Sequence, residues 1–145
     1  MFTQQSRSEK LDRANFCLER VRVSGFNGLY PAELSGGMKK RVAIARAIAL
    51  NPKYLLCDEP NSGLDPETGI VIDQLIKDLT YEFQMTTIIN SHDMNSVLEI
   101  GDKVIFIFKG CKSWEGSRED ILRTDNEALN KFVFATNMAQ KIKGI

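Results

Sequence analysis

The chain has 145 residues, with 19 basic and 19 acidic side chains and a formal net charge of zero. Hydrophobic residues make up 43% and charged residues 26%, the balance of a globular domain with one core. Neutral charge offers no long-range attraction to nucleic acid or anionic lipid, and no apolar run approaches the roughly 20 residues of a membrane-spanning helix.

The first five residues, Met1 to Gln5, have no apolar core of the kind a secretory signal carries. Cys17, Cys57 and Cys111 are odd in number and far apart, which fits neither a disulfide framework nor a CxxC site and points to a reducing compartment. Taken in chain order, helices and strands alternate, the pattern of an α/β domain with a parallel sheet. Ser6 and Glu9 form a capping box for a helix from about Arg7 to Val21, with Leu11, Ala14, Leu18 and Val21 as its apolar face. Gly25, Gly28 and Pro31 mark a loop. A second helix starts after Ser35 and runs to about Leu50, where Pro52 forbids extension. Tyr54 to Cys57 is a short apolar run, predicting a central strand buried on both faces. Asp65 and Pro66 cap and open a helix carrying Ile70, Val71, Leu75, Ile76 and Leu79. Met85 to Asn90 is a second buried strand, followed by a short helix capped by Asp93 and closed by Gly101. Lys103 to Lys109 is a third strand, and Gly110 turns it into a partner around Lys112 to Glu115. Two helices finish the chain, one capped by Ser117, the other by Thr124 with Glu127 as its box partner.

Four short segments fall where strands end or helices begin, the edge at which open α/β sheets bind ligands. In Leu34-Ser35-Gly36-Gly37-Met38, two glycines let backbone approach a ligand, and amides at a helix N-terminus attract phosphate. Ser35 either caps the helix or donates to a phosphate oxygen. Asp58-Glu59 either ends a strand as solvated polar residues or divides two tasks, one carboxylate holding Mg²⁺ and the other deprotonating a water. Ser62 to Pro66, taken alone, is a helix cap. His92, the one histidine, is either a surface or capping residue or a contact to a γ-phosphate. Lys39, Lys40 and Arg41 read as a solvated helix face.

Together, over about Leu34 to Asp93, these segments resemble the ATP-binding-cassette (ABC) ATPases in order and spacing. The resemblance implies that Ser35, Gly36 and Gly37 are the signature motif, which binds the γ-phosphate held by an opposite subunit. Met38 replaces the usual glutamine. It implies that Asp58 is the Walker B aspartate supporting Mg²⁺, Glu59 the catalytic glutamate, Ser62 to Asp65 the D-loop and His92 the switch histidine. The implied fold is α/β, a P-loop NTPase-like parallel sheet with flanking helices. The implied cofactors are ATP and Mg²⁺. The implied partners are a second ABC ATPase subunit, head to tail, and a membrane permease holding the protein at the inner face of the cell membrane. Met38 and the C-terminal helix of Leu129, Phe132, Val133 and Met138 resemble the phospholipid-trafficking importers of the Mla type, also known as organic-solvent or toluene tolerance factors.

No Gly-Lys dipeptide occurs in the chain, so the P-loop Gly-x-x-x-x-Gly-Lys-Ser/Thr is absent, and no aromatic adenine platform, antiparallel sheet or Q-loop glutamine is identifiable. The expectation is one partial cassette over residues 1–145: about 1–50 from the helical signature portion, about 51–116 from the catalytic core, and about 117–145 as C-terminal helices. Such a truncated chain is expected not to hydrolyse ATP alone. With the P-loop strand missing, the strand before His92 and the strand at Lys103 to Lys109 have open edges. Those edges are expected to pair directly or to assemble a strand-swapped homo-oligomer. The competing expectation is a non-catalytic interaction module that binds an intact ATPase or permease.

Overall fold

In the computed structural model, which describes residues 5–135, helix α1 (Arg7–Arg20) opens with the expected capping box. Ser6 Oγ accepts from the Glu9 amide at 3.2 Å, and the Glu9 carboxylate accepts from the Ser6 amide at 2.7 Å. A 3-10 turn (Pro31–Glu33) leads to α2 (Gly36–Ile48), then β1 (Tyr54–Asp58), α3 (Pro66–Glu82) and β2 (Thr86–Asn90). After these come α4 (Met94–Ile100), β3 (Val104–Phe108), β4 (Cys111–Gly116), α5 (Arg118–Ile121) and α6 (Glu127–Ala135). The chain divides into two units, Met1–Asn90 and Ser91–Ile145.

In the first unit β1 and β2 pair in parallel, Tyr54 opposite Thr86 through Asp58 opposite Asn90. Side chains alternate along each strand, so Leu55, Cys57 and Ile89 face the helices while Leu56, Ile88, Asp58 and Asn90 share the other face. The core joins Cys17, Val21 and Val23 to Ile44 and Ile48 of α2, Leu55 of β1, and Ile72, Leu75, Ile76 and Leu79 of α3. Burying each of the larger side chains contributes on the order of 2 kcal/mol.

The expected burial of the strands on both faces does not hold. Leu56 is 73% and Ile88 59% exposed, because helices cover one face of a two-stranded sheet. The apolar faces of two helices also shift. In α1 Cys17, and at its C-cap Val21, are buried while Leu11 is exposed; in α3 Ile72 is buried while Ile70 and Val71 are exposed. α2 stops at Ile48, two residues short of the expected end. Its last carbonyls are held by Arg13 of α1, whose Nε donates to Ala49 O and Nη2 to Ile48 O, each at 2.9 Å. A guanidinium there satisfies carbonyls that no helical amide reaches and offsets the negative end of the helix dipole.

Among the described residues the second unit is a β3–β4 hairpin with three helices and a small core of Met94, Ile121, Leu129 and Val133. Lys109 and Gly110 both have positive φ (50° and 75°), the backbone of a tight two-residue hairpin turn. Among the described residues β2 pairs with β1 and β3 with β4, in two separate two-stranded sheets. Gly101 closes α4 as expected, but its φ of −76° is ordinary. A β-carbon there would lie 2.6 Å from Val97 O, so glycine is needed for space rather than for a left-handed turn. α6 is capped by Asn126, whose Oδ1 accepts from the Leu129 amide at 2.9 Å; Thr124, the expected cap, accepts from the Asn126 amide instead. Met138, assigned to the same helix from sequence, lies outside the described residues.

Two ammonium groups flank the Glu115 carboxylate on this hairpin, Lys103 Nζ at 2.5 Å and Lys112 Nζ at 2.8 Å. Their hydrogen bonds, Lys103 first, pull its pKa from the ordinary 4.5 down to about 2. A carboxylate depressed by folding favours the native state above its ordinary pKa, and that contribution fades as pH falls from 4.5 toward 2. In a carbon-detected NMR titration, Glu115 is expected to titrate below the other glutamates, and Lys103→Met to move it upward. A Glu115 titration near 4.5 in the unsubstituted chain would contradict the hairpin ion pairs.

Candidate functional site

Two helix starts meet in the first unit. Ser35 caps α2, its Oγ accepting from the Met38 amide at 3.2 Å, and Asp65 caps α3, its Oδ1 accepting from the Thr68 amide at 3.0 Å. Hydrogen bonds from Thr68, its side chain first and its amide second, hold the Asp65 carboxyl below its usual pKa. Between the two starts lies a cavity of about 360 Å³, bordered by Ser35, Gly36, Gly37, Arg41, Asp65 and Thr68 among others. The first amides of α2 have no intrahelical partner, and Ser35 Oγ, acting as an acceptor at the cap, keeps its own proton for donation. Arg41 is among the residues that line the cavity, and its buried Nε has no hydrogen-bond partner among the described residues. Amides, a hydroxyl proton and a cation fit an anion such as a phosphate group.

Gly37 permits this geometry. A β-carbon on it would lie 2.8 Å from Thr68 Cγ2, and one on Gly36 would lie 3.4 Å from Leu64 Cδ2. The two helix starts approach through missing side chains.

The second cluster is at the carboxyl end of β1. Asp58 is the last strand residue, exposed, and its Oδ1 accepts from Asn90 Nδ2 at 2.7 Å across the ladder. Oxygen donors of this kind suit Mg²⁺, which is held by one or two carboxylates together with phosphate and water. Glu59 does not continue the strand. Its φ is 46°, left-handed and uncommon for a residue with a side chain. The Glu59 amide donates to Asn90 O at 2.9 Å, and its carbonyl accepts from the Ser62 amide at 3.2 Å. The carbonyl also accepts from Lys40 Nζ of α2 at 3.1 Å. The two carboxylates are therefore separated by a backbone turn rather than by strand alternation. Deeper in the loop, Asn61 Nδ2 donates to Asp73 Oδ2 at 3.3 Å, the Asp73 side chain being buried.

His92 belongs to the second unit and is exposed. Beside it the Ser91 hydroxyl accepts from the Asp93 amide at 3.0 Å, and Asp93 caps α4 through the Asn95 amide at 2.9 Å. The structure thus brings Ser35, Gly36, Gly37 and Asp65 to one cavity and Asp58 and Glu59 to one strand end, while His92 is described within its own unit.

A family model described as "ABC transporter" matches residues 2–62. The methionine import ATP-binding protein of Caulobacter vibrioides is 45% identical over 117 residues, which is 80% of this chain and 35% of that protein. The counterpart in Bacillus subtilis is 38% identical, covering 86% of this chain and 37% of its own length. A probable ribonucleotide transport ATP-binding protein of Mycobacterium leprae is 35% identical over 90% of this chain and 38% of its own. The chain is homologous to ABC transporter ATPase domains. Solved cassettes share the fold. The MJ0796 cassette, a dimer in a post-hydrolysis state bound to ADP and Pi, is 37% identical with a TM-score of 0.68, over 79% of this chain and 49% of that one. The MJ1267 cassette in its ADP conformation is 26% identical with a TM-score of 0.79, over 91% of this chain and 52% of that one. The fold is accordingly the α/β fold of the P-loop NTPases. The chain spans less than half the length of these curated relatives and about half of the solved cassettes. The expected kinship with Mla-type lipid importers finds no support among these relatives, which are named for methionine and ribonucleotide transport.

Three residues of the site escaped the sequence reading. Lys40 and Arg41, expected on a solvated face, are half-buried and turned to the Glu59 carbonyl and to the cavity. Helical spacing held the clue: they follow Gly36 and Gly37 by one turn and share their faces. Asn90, a polar residue ending an apolar strand, is the cross-strand partner of Asp58.

The close approach at Gly37 makes a prediction. Alanine is favoured over glycine within a helix by about 1 kcal/mol, whereas overpacking costs about 1–3 kcal/mol. Gly37→Ala is therefore expected to lower stability by up to about 2 kcal/mol in urea unfolding. Thr68→Ser, which deletes Cγ2, is expected to recover most of that loss in the double variant. Additive single effects would mean that the two helix starts do not touch.

Proposed function

We propose that the chain supplies the signature, Walker B, D-loop and switch residues of an ABC transporter ATPase, the cycle of ATP hydrolysis driving transport through a membrane permease. The observation that carries this reading is the pairing of an anion-suited cavity at Ser35–Gly37 with carboxylates at the end of β1, within a chain homologous to ABC ATPases. Ser35, Gly36 and Gly37 hold the γ-phosphate of ATP bound by an opposite, head-to-tail subunit. Asp58, oriented by Asn90, holds Mg²⁺. Mg²⁺ and ATP, when bound, supply the charge-neutralising cation and the phosphoryl group. The Glu59 carboxylate would accept a proton from the attacking water as its oxygen bonds to the γ-phosphorus and the bond to the β–γ bridging oxygen breaks, releasing ADP, and His92 would contact the γ-phosphate. Asp65 fixes the start of α3 beside the signature backbone.

No P-loop motif lies in these 145 residues, so the β- and γ-phosphates need a cradle from a separate P-loop-bearing segment, and the chain alone does not turn over ATP. Attachment to a permease places the protein at the cytoplasmic face of a membrane. The names of the relatives favour small polar cargo of the amino-acid or nucleotide kind, methionine first. Among the described residues no helix is long and apolar enough to cross a membrane, so the cargo path belongs to the permease.

The test fuses the chain behind the P-loop-bearing segment of the Caulobacter relative. Mg²⁺-dependent ATP hydrolysis is expected, and Glu59→Gln is expected to lower kcat by about 10²-fold or more. An inactive but folded fusion supports a non-catalytic interaction module instead. Activity that survives Glu59→Gln overturns Glu59 as the base.

A further inference from the structure

The Lys40 ammonium reaches from the second turn of α2 to the Glu59 carbonyl, at 3.1 Å, in a half-buried setting. That carbonyl already accepts from the Ser62 amide at 3.2 Å, so Lys40 is not needed merely to satisfy a stranded acceptor. Ordering a four-carbon side chain costs conformational entropy, which a charge-assisted bond to a partly desolvated carbonyl offsets. What the bond adds is position. Glu59 stands in a left-handed backbone, φ 46°, which must be held by its surroundings because its own side chain disfavours it. Its amide is fixed to β2 through Asn90 O, and Lys40 fixes its carbonyl to α2.

Helical spacing sets the other end of this link. Lys40 follows Gly36 by one turn, so its stem rises from the helix whose first amides line the anion-suited cavity. We propose that Lys40 is a positioning residue that ties the Ser35–Gly37 helix to the backbone of Glu59, so that displacement of one moves the other. This deepens the proposed function and rests on its assignment of Glu59. In that assignment Ser35–Gly37 serve the opposite subunit's nucleotide while Glu59 serves this subunit's own. Lys40 therefore joins two nucleotide sites within one chain. An uncharged or shorter side chain could not do this: the bond needs a cationic donor with the reach to meet the Glu59 carbonyl.

Two measurements test the link. Native-state amide exchange is measured at Ser62 in the 145-residue chain. Lys40→Met, which removes the ammonium and keeps the length, is expected to speed exchange about fivefold with the urea midpoint unchanged, and Lys40→Arg to restore protection. Unchanged exchange in Lys40→Met overturns the proposal, whatever the activity. In the P-loop fusion, Lys40→Met is expected to lower kcat about tenfold with KM for ATP unmoved, and Lys40→Arg to recover most of it. Unaltered kcat, or a loss wholly in KM, overturns the positioning role while leaving Glu59 as base if Glu59→Gln is inactive. Activity surviving Glu59→Gln overturns the catalytic assignment instead, and with it any positioning of a base by Lys40.

Discussion

The first turn of α2 lies against the first turn of α3 so closely that a β-carbon on Gly37 would meet Thr68 Cγ2 at 2.8 Å. Two helix N-termini, each an electropositive end, are brought side by side by that contact. Such an arrangement is costly unless something negative lies near. Asp65 supplies part of the compensation by capping α3, and hydrogen bonds from the Thr68 side chain and amide hold its pKa down. The remaining field, strengthened by Arg41, faces the cavity and suits a phosphate. The anion preference of the site thus follows from packing: remove the glycine contact and the helix ends part, the cavity opens, and the amides lose their common target.

The end of β1 obeys a different constraint. A strand delivers alternate side chains to alternate faces, so two adjacent residues cannot both point one way. The chain departs from the strand at Glu59 through a left-handed residue rather than extending it by one more. Asp58 stays on the sheet's uncovered face, bonded to Asn90, while Glu59 is turned into a loop anchored by Ser62, Asn90 and Lys40. Strain of this kind persists only where neighbours hold it, and here they come from β2, the loop itself and α2. Among the described residues this sheet has two strands with helices on one face, and Leu56 and Ile88, apolar and opposite each other in the ladder, lie open on the other.

Features governed by local chemistry were legible in the sequence. The caps at Ser6, Ser35, Asp65, Asp93 and Ser117 depend on one side chain and the next few amides, and all five form. The order of helices and strands followed from periodicity and turn residues, and the motif residues stood at the expected edges. Burial was harder. Tyr54 to Cys57 has the composition of a strand covered on both sides, but coverage depends on how many strands and helices surround it, which no local window records. The cap at α6 fell to Asn126 rather than Thr124 because an Asn two residues later bonds the Leu129 amide and draws the start of the helix forward. A lysine beside another lysine is usually solvated, and the use of Lys40 depends on Glu59, nineteen residues away. Long-range polar contacts of this sort leave no periodic trace.

The central claim is that the chain holds the catalytic and signature residues of an ABC ATPase without a phosphate cradle of its own. Isothermal titration of the 145-residue chain with ATP and Mg²⁺ tests it most directly. No saturable heat is expected, since Ser35–Gly37 are proposed to complete a nucleotide site held elsewhere. Saturable binding by the chain alone would contradict it, and would show that the cavity between α2 and α3 is a nucleotide site in its own right.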